Sequence, residues 1–383
     1  METRTIVILI DALGFTISEA GGFRPASLPF NTRIRTVLGF SQAALTSIFS
    51  GLTPAEHGLW MMYSFAKTSS PFAWLALVPG SVSARALWLR RIMRWSLAHV
   101  SRMRGYYSLY DIPREILPRL DLPARRDIFK PDPRGALRTI FDDLEERCIP
   151  YLVWDYRIPE TRAFDELEVA VRGRKATFYM LYTAGLDSDM HRHGSAAPRV
   201  RERLAWYGNR IDRIAAAADD VGGADIVVLG DHGMCDVTRS ADIMGPVAHL
   251  GLRIPRDCIP FYDSTMARFK INSARARDSL ENLLGGQSFG RILGAAELEG
   301  LGVAYTDGRF GDLVFLADPG VLIIPSYMGS EAVAAMHGYH PDSEDMFSVM
   351  RSNRDLPSRE LSLCDVARIM LPGFEPARGG KIP

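Results

Sequence analysis

Short apolar runs that end on acids set the rhythm of this chain. Residues 5–10, TIVILI, are apolar and rich in β-branched side chains, and Asp11 follows at once. Similar runs recur at 150–156 (PYLVWDY), 177–183 (TFYMLYT) and 225–231 (DIVVLGD). A continuous apolar run, as opposed to an alternating one, predicts a strand covered on both faces, as in a parallel sheet. Between the last two runs lies 198–223. It opens on Pro198, places Val200, Leu204, Tyr207, Ile211 and Ile214 at helical spacing, and stops at Gly222-Gly223. Strand, helix and strand in this order predict a right-handed crossover in a parallel sheet. The segments 261–271 (FYDSTMARFKI) and 312–326 (DLVFLADPGVLIIPS) carry more turn residues and predict a smaller antiparallel part.

Residues 66–145 break the rhythm. Within them, 83–104 predicts a helix with Trp88, Ile92, Trp95 and His99 on one side and Arg85, Arg90, Arg91, Arg94, Arg102 and Arg104 around the rest. One reading is a packed amphipathic helix with a solvated basic face. The other is a cap over an active site, or an interfacial helix in peripheral contact with anionic lipid. The expected organisation is therefore a catalytic domain from 1–65 and 146–383, with 66–145 inserted as a helical cap that sets substrate choice.

Composition narrows the partners. The chain has 383 residues, with 45 basic and 45 acidic side chains. A balanced charge gives no long-range field for a nucleic acid duplex, so any charged partner must be met by a local patch. The four cysteines, Cys148, Cys235, Cys258 and Cys364, form no CxxC pair and read as free thiols of a reducing compartment. The start, METRT, leads straight into the first strand without a signal-peptide pattern, and no run of about 18 uncharged apolar residues occurs. These features lead to the expectation of a cytoplasmic enzyme. They leave the oligomeric state open.

The candidate chemistry lies at the strand ends. Asp11, Asp187 and Asp231 each follow an apolar run, and the carboxyl ends of parallel strands form the ligand crevice of such sheets. Three carboxylates meeting there repel one another unless a cation joins them. Nearby histidines favour a transition metal: His191 and His193 in LDSDMHRHG, His232 in LGDHGM, and His337 and His340 in HGYHPDSEDM. Ser41 stands where an extended piece enters the helical segment QAALTSIFSG, so it reads as either a nucleophile or an N-cap.

These motifs together resemble the alkaline phosphatase superfamily, and most closely its nucleotide pyrophosphatase/phosphodiesterase branch. VILIDALG resembles the first strand of the branch, SQAALTSIFSGLTPAEHG the nucleophile segment, DSDMHRHG and LGDHGM its metal-binding motifs, and HGYHP its late histidine motif. The resemblance implies an α/β fold, a mostly parallel sheet sandwiched between helices. It implies Ser41 as nucleophile and two divalent ions, Zn²⁺ in first place with Mn²⁺ or Fe compatible. Asp187, His191 and His340 would hold one ion, and Asp11, Ser41, Asp231 and His232 the other. Gln42, Asp189 and His193 are candidates to orient these groups, and His57 to brace its loop. The branch has Asn three positions after the nucleophile, contacting the phosphoryl group; this chain has Ala44. The implied function is a two-metal phosphodiesterase working through a phosphoserine, on a small-molecule or lipid-linked phosphate ester. The alternatives are a phosphomonoesterase or phosphotransferase on the same scaffold, or a non-catalytic metal-binding or membrane-peripheral protein. A sulfatase is disfavoured because SQAAL lacks the Pro and Arg of the C/S-x-P-x-R setting.

Overall fold

The computed structural model describes residues 4–78, 87–101, 103–132 and 137–377. The chain divides into two compact units, one from residues 1–57, 128–236 and 334–383, the other from 58–127 and 237–333.

The first unit is built on a seven-stranded sheet. Its strands are β1 (Thr5–Ile10), β2 (Phe30–Arg35), β3 (Tyr151–Trp154), β4 (Phe178–Thr183), β5 (Asp225–Leu229), β6 (Ser348–Ser352) and β7 (Leu361–Ser362), and they stand in the order β7-β2-β6-β5-β1-β4-β3. β1 lies parallel between β4 and β5, and only β6 runs antiparallel to its neighbours. The unbroken apolar run of β1 has a direct cause. Ile6, Ile8 and Ile10 enter one core with Leu167, Leu204 and Ile211, while Val7 and Leu9 enter another with Ile48, Phe141 and Val366. The first core lies under helices α2 (Glu160–Arg172) and α4 (Pro198–Asp219), and the second under α1 (Ser41–Ser50) and α5 (Leu363–Met370). Each fully buried aliphatic side chain contributes roughly 2 kcal/mol. The expected crossover is present, since α4 joins parallel strands β4 and β5 through the short helix α3 (Gly185–His193). Apolar patterning does not announce β6, because Ser348, Arg351 and Ser352 are polar yet buried. Ser348 Oγ donates to the Gly230 carbonyl at 2.7 Å, and Arg351 Nη2 to Glu19 at 2.7 Å.

The second unit has its own core. Four antiparallel strands, Cys258–Tyr262, Met266–Ile271, Leu313–Ala317 and Gly290–Ile292, supply Phe261, Phe269 and Phe315. The same core takes Tyr63, Phe72, Leu89, Met93, Leu97 and Leu109. Residues 58–127, which include most of the stretch the sequence marks as an insertion, therefore share a core with 237–333, while Phe129, Ile140, Phe141 and Leu144 pack in the first unit, and these boundaries differ from those expected at 65 and 146. Patterning along the chain is blind to such pairing, because both segments need a partner that lies far away in sequence. The predicted helix is present as Leu87–His99; residues 83–86 and 102 lie outside the described residues. No helix among the described residues is long and apolar enough to cross a membrane. The cysteines are free thiols.

Arg268 is fully buried in the second unit and donates to Asp263 Oδ2 at 3.0 Å, to the Tyr63 carbonyl at 3.2 Å and to the Phe310 carbonyl at 3.3 Å. Its guanidinium also lies 4.8 Å from the Phe261 ring centroid. Removing the carboxylate leaves a buried charge without its counter-ion. Asp263→Ala is expected to destabilise this unit by about 3–5 kcal/mol, read as a lowered urea midpoint. An unchanged midpoint would show that the pair is not needed.

Candidate active site

Three strand ends converge, and they carry the acids. Asp11 follows β1 and extends its pairing, the Asp11 amide donating to the Thr183 carbonyl at 2.8 Å. The next residue, Ala12, turns into the left-handed region (φ 62). That conformation is costly for a residue with a Cβ, and it recurs at functional sites. Here it aims the Ala12 amide at Asp231 Oδ1, 3.0 Å away. Asp231 and His232 follow β5 in a tight turn between two glycines. A Cβ on Gly233 would meet the Asp345 carbonyl oxygen at 1.9 Å, so only glycine lets these backbones approach. The close approach fixes where Asp231 and His232 point.

Asp11, Asp231 and His232 form one buried group whose ligand-type atoms all lie within 4.8 Å of one another. His232 Nδ1 lies 2.9 Å from the Gly233 carbonyl. A carbonyl only accepts, so Nδ1 carries the proton and Nε2 faces the acids, 3.4 Å from Asp11 Oδ1 and 3.4 Å from Asp231 Oδ2. Ser41 joins this group. It is the first residue of α1, and Phe40 occupies the cap position. Ser41 therefore does not cap the helix. Its hydroxyl donates towards Asp11 Oδ1 at 3.4 Å and lies 3.0 Å from His232 Nε2. The Tyr182 phenol donates to Asp11 Oδ2.

Asp187, His191 and His337 form a second group of the same kind. Asp187 and His191 sit one turn apart on α3, with His191 Nε2 3.2 Å from Asp187 Oδ1. His191 Nδ1 donates to the Ala335 carbonyl at 2.8 Å, which again leaves Nε2 towards the site. His337 follows the short strand Ala335–Met336, paired with Cys235–Asp236, and its Nε2 lies 3.6 Å from Asp187 Oδ1. The two groups adjoin, since the His337 ring stacks on His232 at 3.8 Å between centroids.

The sequence reading expects His340 beside Asp187 and His191; the structure groups His337 with them. Gly338, with a φ of 87, follows His337, and His340 Nδ1 accepts from the Asp342 amide at 3.2 Å. Both histidines belong to one short motif, and periodicity alone offered no reason to choose the earlier one. Asp189 is buried, but it turns to Arg199 and Arg203 at the opposite side of α3. His193 is exposed and Gln42 half-buried. Ala44 is buried in the apolar core with Leu45, Ile48 and Phe49, so a side chain at this position belongs to the core. The sequence reading also passed over Tyr182, whose place in an apolar strand gave no sign that its hydroxyl reaches Asp11.

The electrostatics show what the site lacks. Among the described residues no lysine or arginine pairs with Asp11 or Asp231. Burial raises the Asp11 carboxyl well above the ordinary range, and the neighbouring Asp231 and Asp187 raise it further. Burial raises Asp231 as well, against the pull of His232. Asp231 Oδ2 is buried without a hydrogen bond. Burial disfavours the charged ring of His191, yet Asp187 outweighs it and the net shift is upward. His337 is pushed well down by burial and by the two histidines beside it, which keeps its ring neutral. Buried carboxylates beside imidazole nitrogens make a donor set that fits divalent cations, one beside each group.

His57 is fully buried behind this site and shares a hydrogen bond with Ser47 Oγ at 3.1 Å, which ties its loop to α1. Burial pushes its pKa down to about 3. In the unfolded chain the ring takes up its proton near pH 6.5, so below that pH the unfolded state binds more protons. Stability contributed by neutral His57 is therefore present above pH 6.5 and falls as the pH drops towards 3, by at most about 1.4 kcal/mol per unit. His57→Gln is expected to flatten that part of a stability–pH curve measured by urea unfolding. An unaltered slope would remove His57 from the acid response.

A family model described as type I phosphodiesterase / nucleotide pyrophosphatase matches residues 40–340. No curated protein sequence matches the chain. Among solved structures, the fold is similar to murine ectonucleotide pyrophosphatase/phosphodiesterase 5, with a TM-score of 0.66 at 12% identity over 96% of this chain and 94% of that one. An inactive variant of that protein in complex with AMP matches at a TM-score of 0.67, 12% identity and the same coverage. The human counterpart gives 0.64 at 10% identity, over 96% and 93%. At such identities these structures establish the fold alone, the mixed α/β architecture with a mostly parallel sheet. The family match spans most of the chain, and the chain belongs to the type I phosphodiesterase / nucleotide pyrophosphatase family.

Proposed function

We propose that the chain hydrolyses phosphate diesters, with Ser41 as nucleophile and two divalent cations as cofactors. The observation that carries this reading is the position of the Ser41 hydroxyl, 3.0 Å from His232 Nε2 and 3.4 Å from Asp11 Oδ1 at the start of α1. Asp11, Asp231 and His232 would hold one cation with Ser41, and Asp187, His191 and His337 the other. Zn²⁺ suits this mixture of nitrogen and oxygen donors, as do Mn²⁺ and Fe²⁺. Bound there, the cations would lower the pKa of the hydroxyl and neutralise charge on the phosphoryl and leaving oxygens. The Nδ1–H bonds of His232 and His191 to carbonyls hold both rings with Nε2 towards the site. The N-terminus of α1 favours the negative charge of a phosphoryl group beside Ser41.

In the proposed reaction Ser41 Oγ bonds to phosphorus as the bond to the leaving alcohol breaks. The alcohol takes up a proton as the Ser41 hydroxyl gives one up, and the phosphoryl group stays on Ser41, still carrying the second alcohol of the diester. Water then attacks the same phosphorus, the bond to Ser41 Oγ breaks, a phosphate monoester leaves and Ser41 regains its proton. Two facts from the comparisons support the reading. The family is one of phosphodiesterases and nucleotide pyrophosphatases, and a relative made inactive by exchanging a threonine for alanine is found with AMP. A nucleotide or another phosphate ester is the substrate class this favours.

Hydrolysis of bis-p-nitrophenyl phosphate and of p-nitrophenyl phosphate, with Zn²⁺ or Mn²⁺ added, tests the proposal. The diester is expected to be preferred, and Ser41→Ala to lower kcat at least about 10³-fold with metal content unchanged. A preference for the monoester would make the chain a phosphatase. Silence on both substrates with metal bound would favour the non-catalytic reading. Metal content separates the two late histidines. His337→Ala is expected to lose one ion per chain by elemental analysis, and His340→Ala to keep both. The reverse result would return the ligand role to His340.

A further inference from the structure

The helix Leu87–His99 buries one face and leaves a second apolar face in solvent. Leu89, Met93 and Leu97 are buried in the core of the second unit and hold the helix in place. Trp88, Ile92 and Trp95 lie at helical spacing on another face and are 52%, 44% and 59% exposed. Exposed single apolar residues are ordinary, but two tryptophans and an isoleucine in one stripe are not. The adjoining arc is cationic. Arg90 is engaged by Asp111 and the Leu109 carbonyl. Arg91 and Arg94 are exposed and make no ion pair or hydrogen bond among the described residues. No Asp or Glu occurs between Gly58 and Tyr110, in a chain whose charges balance overall.

We infer that this face docks on an anionic lipid surface. The inference stands apart from the reading of the Ser41 site. The argument is charge complementarity combined with side-chain chemistry. Tryptophan rings settle at the boundary between headgroups and acyl chains, and arginine pairs with the phosphates at that depth. A helix of 13 residues is too short to span a bilayer, so it lies in the interface plane with Trp88, Ile92 and Trp95 inserted. The local excess of arginine supplies the attraction that the neutral molecule as a whole lacks.

Co-sedimentation of the full chain with phosphatidylcholine vesicles, with and without roughly 30% phosphatidylglycerol, tests the inference. Binding is expected to the anionic vesicles only, with a blue shift of tryptophan fluorescence, and to weaken at high salt. Trp88→Ser with Trp95→Ser is expected to reduce binding at least about tenfold. Arg91→Glu with Arg94→Glu, which leaves the apolar face intact, is expected to do the same. Both variants should keep the melting temperature and the rate on a soluble ester. Should the tryptophan variant fail to fold, the arginine variant decides. Absence of binding to anionic vesicles, or binding that survives the arginine variant, overturns the inference. So does a dimer in solution that the tryptophan variant dissociates while vesicles stay unbound, because the face would then belong to a second copy.

Discussion

Asp11 and Asp231 are buried at the ends of neighbouring strands, and no basic side chain pairs with either among the described residues. An arrangement of this kind is unfavourable by itself, because each carboxylate loses water and feels the other. The surrounding structure is arranged to impose it. The left-handed turn at Ala12, the glycines around Asp231 and His232, and the Tyr182 phenol all hold these groups where they would otherwise repel. Such stored strain is what a cation would relieve. The donor set fits the cations proposed for it better than a set of ion pairs.

The sheet makes this possible. β1 is covered on both faces, so its end cannot be displaced without disturbing two cores at once. Parallel pairing with β4 and β5 brings three carboxyl ends to one edge. Helix α3 then places Asp187 and His191 one turn apart, and α1 opens with Ser41. Each catalytic candidate is thus at the end of a rigid element, which confines the geometry more tightly than a loop could.

The second unit follows a different logic. It joins segments from two distant parts of the chain around one core, with Arg268 and Asp263 buried at its centre. Its helix Leu87–His99 spends one apolar face on that core and keeps another outside. A sequence reading of this helix registers amphipathic character but not which of its apolar positions face inward, since Leu89 and Trp88 are adjacent and equally apolar on paper.

By itself the sequence determined the strands of the sheet that are apolar throughout, the crossover helix, and six of the site's side chains. Those features are local: a run of β-branched residues, a helical period, an acid directly after a strand, a histidine four residues after Asp187. Only the tertiary structure decided the rest. It grouped His337 with Asp187 and His191, directly after the pairing of Ala335–Met336 with Cys235–Asp236. It put Ala44 in the core, turned Asp189 away to Arg199 and Arg203, and brought Tyr182 to Asp11. It also revealed β6, whose Ser348 and Arg351 meet partners far away in sequence. Local pattern reports what a segment needs; which distant segment meets that need depends on packing, and packing exists only in the folded chain.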